Sequence, residues 1–396
     1  MRNPIFAGLA LVLNALCSWY FAFYCLIFTA MFLLARFLED GRALLTSAFA
    51  KRIGVIALVS FVVIAPLLLP MIHAKLSNTY LVEHDSIIWS ADLQSFFIPN
   101  GVLTWGRLWF LDWIETWTGN SAENANYIGY GLLALSIYGW ARIPKSRFWG
   151  AAGLGFAILA LGPYLHVGGQ VHEGFPLPYR FLERYTPLVG FMGVPERMTL
   201  MLYTCLAVVA ALSLTRIAES AGGGRRGTAV VLTIGALLMV EYRATPFPTV
   251  RLDIPHFYRE LAQEPERFGV IDVPRDSRAL YFSTIHGKPL VGGYVSRRAQ
   301  SDRDFLEQTP IIATLTVGAP APSEARRLAR AVFTEHDIRY VILRSGSHVG
   351  FLEETLALPL HFEGDGIRVY RTLRGPVGVD TPREAGGEIS DRARIR

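Results

Sequence analysis

Residues 5–34 read IFAGLALVLNALCSWYFAFYCLIFTAMFLL, thirty consecutive positions without a charged side chain. One helix needs about 20 apolar residues to cross a bilayer, and two helices need about twice that number. The block therefore fits one long tilted helix, or two short helices that meet near Asn14–Trp19, where Asn14 and Ser18 can satisfy backbone groups. A signal peptide fits less well, because the block is too long and no small-residue cleavage site ends it.

The rest of the chain changes composition at one point. Hydrophobic residues make up 52% and charged residues 18% of the whole, whereas soluble proteins are about one quarter charged. Apolar blocks continue to residue 240, and from Arg251 the sequence has an ordinary globular composition. Five blocks follow the first, at residues 53–72, 127–140, 148–165, 198–214 and 228–240.

These patterns predict an α-helical multi-spanning membrane protein with a C-terminal extracytoplasmic α/β domain. The transmembrane domain is predicted over residues 1–244, with about six or seven helices and an outer loop at 73–126. The α/β domain is predicted over 245–373, where GVIDV at 269–273 and YVIL at 340–343 are typical of buried strands. Further strands are expected at 288–293 and 367–370. The remainder, 374–396, is rich in glycine, proline and charge, which predicts a disordered tail.

The distribution of positive charge predicts the orientation. The loop at 73–126 has only Lys75 and Arg107 against six acidic residues, whereas three other loops are basic. Basic loops face the cytoplasm, so the acidic loop and the C-terminal domain are expected outside the cytoplasmic, or inner, membrane. The basic loops contain Arg36, Arg42, Lys51, Arg52, Arg142, Lys145, Arg147, Arg216, Arg225 and Arg226.

Four tryptophans recur at every fourth position of the acidic loop: Trp105, Trp109, Trp113 and Trp117. This spacing predicts an amphipathic helix with an indole stripe that lies in the headgroup layer. The alternative is a platform on which sugars stack. The acidic residues of the loop are candidates for a general base or for ligands of a divalent cation, although solvated charges on an outer loop explain most of them. They include Glu83, Asp85, Asp92 and Glu123.

A second polar cluster occurs in STIHGKPLVGGYVSRR, where His286, Lys288 and Arg297 surround glycines. Such a cluster suits a phosphate or carboxylate, and the alternative is a β-hairpin with solvated charges. No dinucleotide, phosphate-loop, zinc or nucleophile motif is present. His166 and His172 lack an evident third ligand, so no metal site is predicted. Arginine and lysine are not interleaved with aromatics, which gives nucleic-acid binding little support.

Several segments together resemble the GT-C glycosyltransferase superfamily, and are closest to its YfhO-like branch. They are ADLQSFFIPN at 91–100, NYIGYGLLAL at 126–135, LGPYLHVGG at 161–169, PLPYRFLERYTPLVGFMGVPERM at 176–198 and HGKPLVGGYVSR at 286–297. The resemblance implies that a sugar is transferred from a polyprenyl-phosphate donor at the outer membrane face.

Members of that superfamily carry a catalytic acidic residue in the first outer loop. Here no acidic residue precedes Glu39, so the resemblance transfers no catalytic residue, and we expect a fragment or a shortened protein without that base. Arg180, Arg184 and Arg197 are candidate contacts for the lipid phosphate, because a guanidinium suits phosphate oxygens. The alternative function is a non-catalytic membrane protein whose outer domain binds a partner or an envelope polymer.

Overall fold

The computed structural model describes residues 3–41, 46–77, 85–118, 124–186, 193–247, 249, 251–293 and 300–373. They divide into two compact units, with the boundary between residues 250 and 251. The protein is mostly helical, at 63%, and its four-stranded sheet lies in the second unit. The predicted helical architecture with sheet structure in the C-terminal part is confirmed.

The first apolar block forms two helices. Helix α1 spans Pro4–Cys17 and α2 spans Trp19–Asp40, with an extended Ser18 between them. The Ser18 backbone N–H donates to the Asn14 carbonyl at 2.9 Å, and the Asn14 side chain donates to a carbonyl one turn earlier at 3.2 Å. The break therefore lies within the segment that the sequence indicated, and local polar groups satisfy the backbone there.

Helix α3 spans Ser47–Leu76 and runs through two prolines. It crosses α1 at Gly8, where an added Cβ would lie 3.0 Å from the Val59 side chain. The Ser60 hydroxyl donates to the Gly8 carbonyl at 3.3 Å. The absence of a side chain at Gly8 lets the two backbones approach closely, as is common where membrane helices pack.

The tryptophan-rich segment after α3 contains two short helices instead of the single helix that its spacing predicts. Helix α4 spans Thr104–Trp109 and α5 spans Leu111–Ile114. Phe110 separates them with a ψ of 9°, outside the helical range.

The middle of the first unit is a small bundle. Helix α6 spans Tyr130–Arg142 and α7 spans Arg147–Ala160; they are followed by the antiparallel strands β1, Tyr164–Val167, and β2, Gln170–Pro176. Helix α8 then spans Pro178–Tyr185. Its buried face joins a core of aliphatic and aromatic side chains from α2 and α7.

Two longer helices complete this unit. Helix α9 spans Thr199–Ser220 and α10 spans Gly224–Glu241. Among the described residues, three helices are long and apolar enough to cross a bilayer: Trp19–Asp40, Ser47–Pro70 and Pro195–Ser220. These helices suggest membrane association, and the predicted total of six or seven spans stays a prediction. Helices α6 and α7, with 13 and 14 residues, are shorter than the thickness of the hydrocarbon core requires.

The second unit is a mixed α/β structure. Its sheet has the order β3-β4-β6-β5, with β3 and β4 parallel and the other pairs antiparallel. The strands are β3, Gly269–Val273; β4, Ile338–Leu343; β5, Leu360–Gly364; and β6, Ile367–Arg371. The helices are α11, His256–Gln263; α12, Ser277–His286; α13, Gln300–Gln308; α14, Pro310–Val317; and α15, Ala325–Glu335.

The buried strands β3, β4 and β6 occur where the sequence predicts them. A further strand was expected at residues 288–293, but only an isolated bridge forms there, between Leu290 and Val270. Strand β5 was not predicted, because its side chains are mostly exposed and its apolar signal is weak. The predicted disordered tail, 374–396, lies outside the described residues.

Candidate functional site

One turn of 3-10 helix, Pro195–Met198, leads into α9 and carries adjacent side chains of opposite charge. Proline at the first position favours the helical φ angle, and the Glu196 backbone N–H donates to the Trp89 carbonyl at 3.3 Å. The turn therefore holds Glu196 and Arg197 at the start of a candidate membrane span.

A cavity of about 360 Å³ opens beside this turn. Its walls come from the break between α1 and α2, the segment before α6, and the beginning of α9. Its polar and aromatic lining includes Ser18, Tyr20, Asn126, Glu196, Arg197 and Tyr203.

The cavity brings a buried carboxylate and a guanidinium to one place. Glu196 is only 1% exposed and Arg197 is half-buried, with its Cζ atom 4.9 Å from the centroid of the Tyr20 ring. Contact with the ring face stabilises the cation and fixes its direction. A guanidinium so placed can bind phosphate oxygens, and a carboxylate can accept a hydrogen bond or a proton from a hydroxyl.

Hydrogen bonds hold the opposite wall in position. The Tyr203 hydroxyl donates to the Tyr127 carbonyl at 3.1 Å, and the Tyr127 hydroxyl donates to Glu241 at 2.8 Å. The Asn126 side chain donates to the Ser95 hydroxyl at 3.2 Å. These contacts join α9, α10, the turn at Leu93–Phe96 and the segment before α6, so elements distant in sequence hold the wall together.

An apolar groove of about 600 Å³ lies between α6, α7 and α9. Leu202 and Leu206 of α9 line the groove, while Thr199 and Tyr203 of the same helix line the cavity. One helix therefore borders a polar cavity on one face and an apolar groove on another.

Of the three arginines predicted to contact a lipid phosphate, only Arg197 lines this cavity. Arg180 and Arg184 are exposed on α8, one helical turn apart. The Arg180 guanidinium lies 5.0 Å from the centroid of the Tyr164 ring, and the Arg184 guanidinium lies 6.0 Å from that of Tyr185. The structure thus separates one arginine from the other two by element and by burial.

His286 and Lys288 of the second cluster are both buried. The His286 Nδ1 accepts the Lys288 backbone N–H at 3.0 Å, and the Lys288 ammonium donates to the carbonyls of Glu264 and, at 2.8 Å, Glu266. Burial, assisted by the charge of Lys288, lowers the pKa of His286 to about 4. These contacts place both side chains within the fold, and Arg297 lies outside the described residues. Anion binding at this cluster stays a prediction.

The four tryptophans have different environments. The rings of Trp105 and Trp109 pack with centroids 5.1 Å apart, and Trp109 is exposed. The Trp113 indole donates to Gln94 at 2.9 Å, while Trp117 is buried. Each of the four rings thus has a contact within the fold or is covered by it, and the interfacial placement of the exposed rings stays a prediction.

Two acidic residues of the same loop, Asp85 and Asp92, accept hydrogen bonds from backbone N–H groups. Asp92 is buried and accepts two backbone N–H groups, at 2.9 and 2.8 Å, and Asp85 accepts another at 2.9 Å. Glu83 and Glu123 lie outside the described residues. Within the described ranges, no three His, Cys, Asp or Glu residues lie together as a group that could hold a metal ion. A divalent cation stays a prediction.

The two histidines of the β1–β2 hairpin differ in burial. His166 is buried, with its Nδ1 3.0 Å from the Thr118 hydroxyl, whereas His172 is exposed. Burial lowers the pKa of His166, and the charge of Asp92 acts in the opposite direction. The contact between His166 and Thr118 therefore fixes the hairpin against the tryptophan-rich segment.

Sequence reasoning missed Glu196, Tyr20 and Tyr203 as parts of one site. Glu196 could have been identified from the sequence, because a carboxylate just before an apolar helix of 22 residues indicates a candidate site. Tyr20 and Tyr203 could not, since aromatic residues in apolar helices usually pack in the core.

Comparison with known proteins gives one match. The model of a protein family described as a domain of unknown function, DUF6311, matches residues 2–240. No curated protein and no solved structure matches the chain. The matched range includes every residue that lines the Glu196–Arg197 cavity. The chain therefore belongs to the DUF6311 family.

Proposed function

We propose that this protein binds a polyprenyl-phosphate-linked sugar at the Glu196–Arg197 cavity and acts as a GT-C-like glycosyltransferase at the outer face of the cytoplasmic membrane. The observation that carries the proposal is a buried carboxylate next to a guanidinium, in a cavity at the beginning of two candidate spans. Ionisable groups at such depth are costly, and they usually mark a substrate or ion site.

The position of the cavity supports a substrate that arrives from the membrane. Arg197 at the start of the third candidate span contacts Tyr20, the second residue of α2, so these two spans begin at the same level. Arg36 lies near the end of α2, and Arg216 lies toward the end of α9. Because basic loops favour the cytoplasm, the cavity is expected at the outer side.

The apolar groove supports a lipid-linked donor. Its lining is almost entirely aliphatic and aromatic, and α9 borders both the groove and the cavity. In the proposed arrangement, the prenyl chain lies along the groove and the phosphate meets Arg197. Burial of each methylene group contributes about 0.8 kcal/mol, so the chain supplies affinity and the charged residue supplies position.

The chemistry assigned to the two charged side chains follows from their types. The acceptor hydroxyl attacks the anomeric carbon, the bond from that carbon to the phosphate oxygen breaks, and Glu196 takes the hydroxyl proton. The lipid phosphate leaves with its negative charge, which Arg197 stabilises. The products are the glycosylated acceptor and the polyprenyl phosphate.

The test uses the full-length protein in nanodiscs, with a C55 polyprenyl phosphate as the binding probe and a radiolabelled sugar on that lipid for turnover. Arg197→Ala should weaken binding by about tenfold or more, the value of a charged hydrogen bond. Glu196→Gln should leave binding unchanged and lower turnover by about 10²–10⁴-fold. The matched control is Arg216→Ala, an exposed arginine near the other end of α9.

Binding by Arg197→Ala equal to that of the wild type would refute the site. Binding that depends on Arg197 without any turnover would favour the non-catalytic alternative, in which the protein holds a lipid-linked or envelope ligand.

A further inference from the structure

Helix α8 has one face in the core of the first unit and a second face that is unusual for a water-exposed helix. Tyr179 and Leu177, at its beginning, are buried in the cluster that contains Tyr24 of α2, and Tyr20 packs against that cluster. A helix rises 1.5 Å per residue, so Tyr20 and Tyr24 lie within about 8 Å of the start of α2. Helix α8 therefore packs at the level where a candidate membrane span begins.

The outward face of α8 combines large aromatic rings with positive charge. Phe181 is 56% exposed and Tyr185 is 75% exposed, and Phe175 at the end of β2 is 60% exposed. Water-facing surfaces of soluble proteins rarely concentrate such rings, whereas the headgroup layer accommodates their apolar bodies and polar edges.

The charges on this face are suited to phosphate. Arg180 and Arg184 are four residues apart, so their side chains leave the same side of the helix. In the part of the chain that the structure describes, neither guanidinium forms an ion pair with a carboxylate. The acidic residues nearby are the half-buried Glu183 on the same helix and the exposed Glu173 on β2. Contact with the Tyr164 and Tyr185 rings leaves the N–H groups of the guanidinium edges available.

We propose that α8 lies in the headgroup layer of the membrane and binds anionic phospholipids through Arg180 and Arg184, with Phe181 and Tyr185 inserted beside them. The level of the helix, the exposed rings and the two exposed guanidinium groups all point to this occupant. The proposal does not rest on the sugar-donor function, since those arginines do not line the Glu196–Arg197 cavity.

The experiment measures hydrogen exchange of the peptide that covers α8 in the full-length protein. The protein is placed in nanodiscs of phosphatidylcholine alone and in nanodiscs with about one third phosphatidylglycerol. Each arginine near an anionic surface should raise the ratio of membrane-bound to unbound α8 by about fivefold. The pair should therefore slow exchange of α8 by up to about thirtyfold in the anionic discs.

Arg180→Ala with Arg184→Ala should abolish this lipid-dependent difference. The matched control is Arg259→Ala with Arg326→Ala, which removes two exposed arginines from the second unit. It has the same net charge as the first double variant and should keep the full difference in α8 exchange between the two discs. Phe181→Ser with Tyr185→Ser should speed exchange of α8 in both kinds of disc, because insertion of the rings does not depend on the charge of the headgroups.

Equal exchange of wild-type α8 in the two discs would overturn the proposal, as would a difference that survives in the Arg180, Arg184 double variant. Protection that requires added C55 polyprenyl phosphate and ignores phosphatidylglycerol would also overturn it, and would assign these arginines to the donor site.

Discussion

A buried ion-pair network at the ends of β3 and β4 gives the sharpest test of how the second unit is stabilised. Arg344 follows β4 and its side chain is 8% exposed. It donates to Asp272 of β3 at 2.7 Å and to Asp276, the N-cap of α12, at 2.6 Å. The Tyr258 hydroxyl also donates to Asp272, at 2.8 Å. Burial acts to raise the pKa of Asp272, and the guanidinium opposes that shift.

Replacing Arg344 by methionine leaves the Asp272 carboxylate buried without its cation. The free energy of unfolding of the second unit should fall by about 3–5 kcal/mol, the cost of breaking a buried pair from one side. Arg368 provides the matched control, because it contacts Glu363 at a similar 2.8 Å while its side chain is 41% exposed. Arg368→Met should cost only about 0–1 kcal/mol. Asp272→Asn keeps an acceptor for both partners, so its loss of unfolding free energy should lie between those of the two arginine variants.

Hydrogen exchange of the full-length protein in detergent micelles measures this difference. All eight tryptophans lie between residues 19 and 149, so tryptophan fluorescence reports on the first unit and cannot replace exchange here. Amides of β3 and β4 should lose about a hundredfold to several thousandfold of protection in Arg344→Met. The deficit should shrink as the pH falls, because protonated Asp272 no longer needs a cation. Equal losses in Arg344→Met and Arg368→Met would refute the role given to burial.

Three further perturbations follow from the structure. Glu241→Gln should destabilise the first unit by about 1–2 kcal/mol, because the carboxylate accepts the Gly131 N–H at 3.0 Å at the start of α6. Tryptophan fluorescence measures the melting temperature, and an unchanged midpoint would contradict this role. Gly139→Ala should lower the stability of the first unit by about 1–3 kcal/mol in the same assay, since the added Cβ would lie 2.5 Å from a serine hydroxyl of α9. The control Gly235→Ala, with open space around it, should raise that stability by up to about 1 kcal/mol. The pKa of His286 is about 4 in the fold and near 6.5 in an unfolded chain, so the second unit should lose stability as the pH falls from about 6.5 to about 4. Exchange of α12, corrected for intrinsic rates, should show this loss in the wild type and a shallower pH dependence in His286→Gln.

The sequence by itself determined the features that depend on neighbouring residues. Thirty uncharged positions favour a membrane-like environment whatever the partner helices are. The sequence offered a break near Asn14–Trp19 as one of two alternatives, and the structure has it at Ser18. The strands predicted at 269–273 and 340–343 lie within β3 and β4, because buried runs rich in β-branched residues are recognisable from sequence alone. Strand β5 and the end of the tryptophan helix at Phe110 were not predicted, because exposed positions and local φ and ψ angles leave little trace in composition.

Only the tertiary structure decided which polar residues meet. Tyr20, Asn126 and Glu196 are separated by 70 to 176 positions, and helix packing alone brings them to one cavity. The same packing separates Arg197 from Arg180 and Arg184, which the sequence had grouped by type and proximity. Residue type sets what a side chain can bind, but burial and the direction in which it leaves its helix set what it reaches, and both depend on contacts distant in sequence.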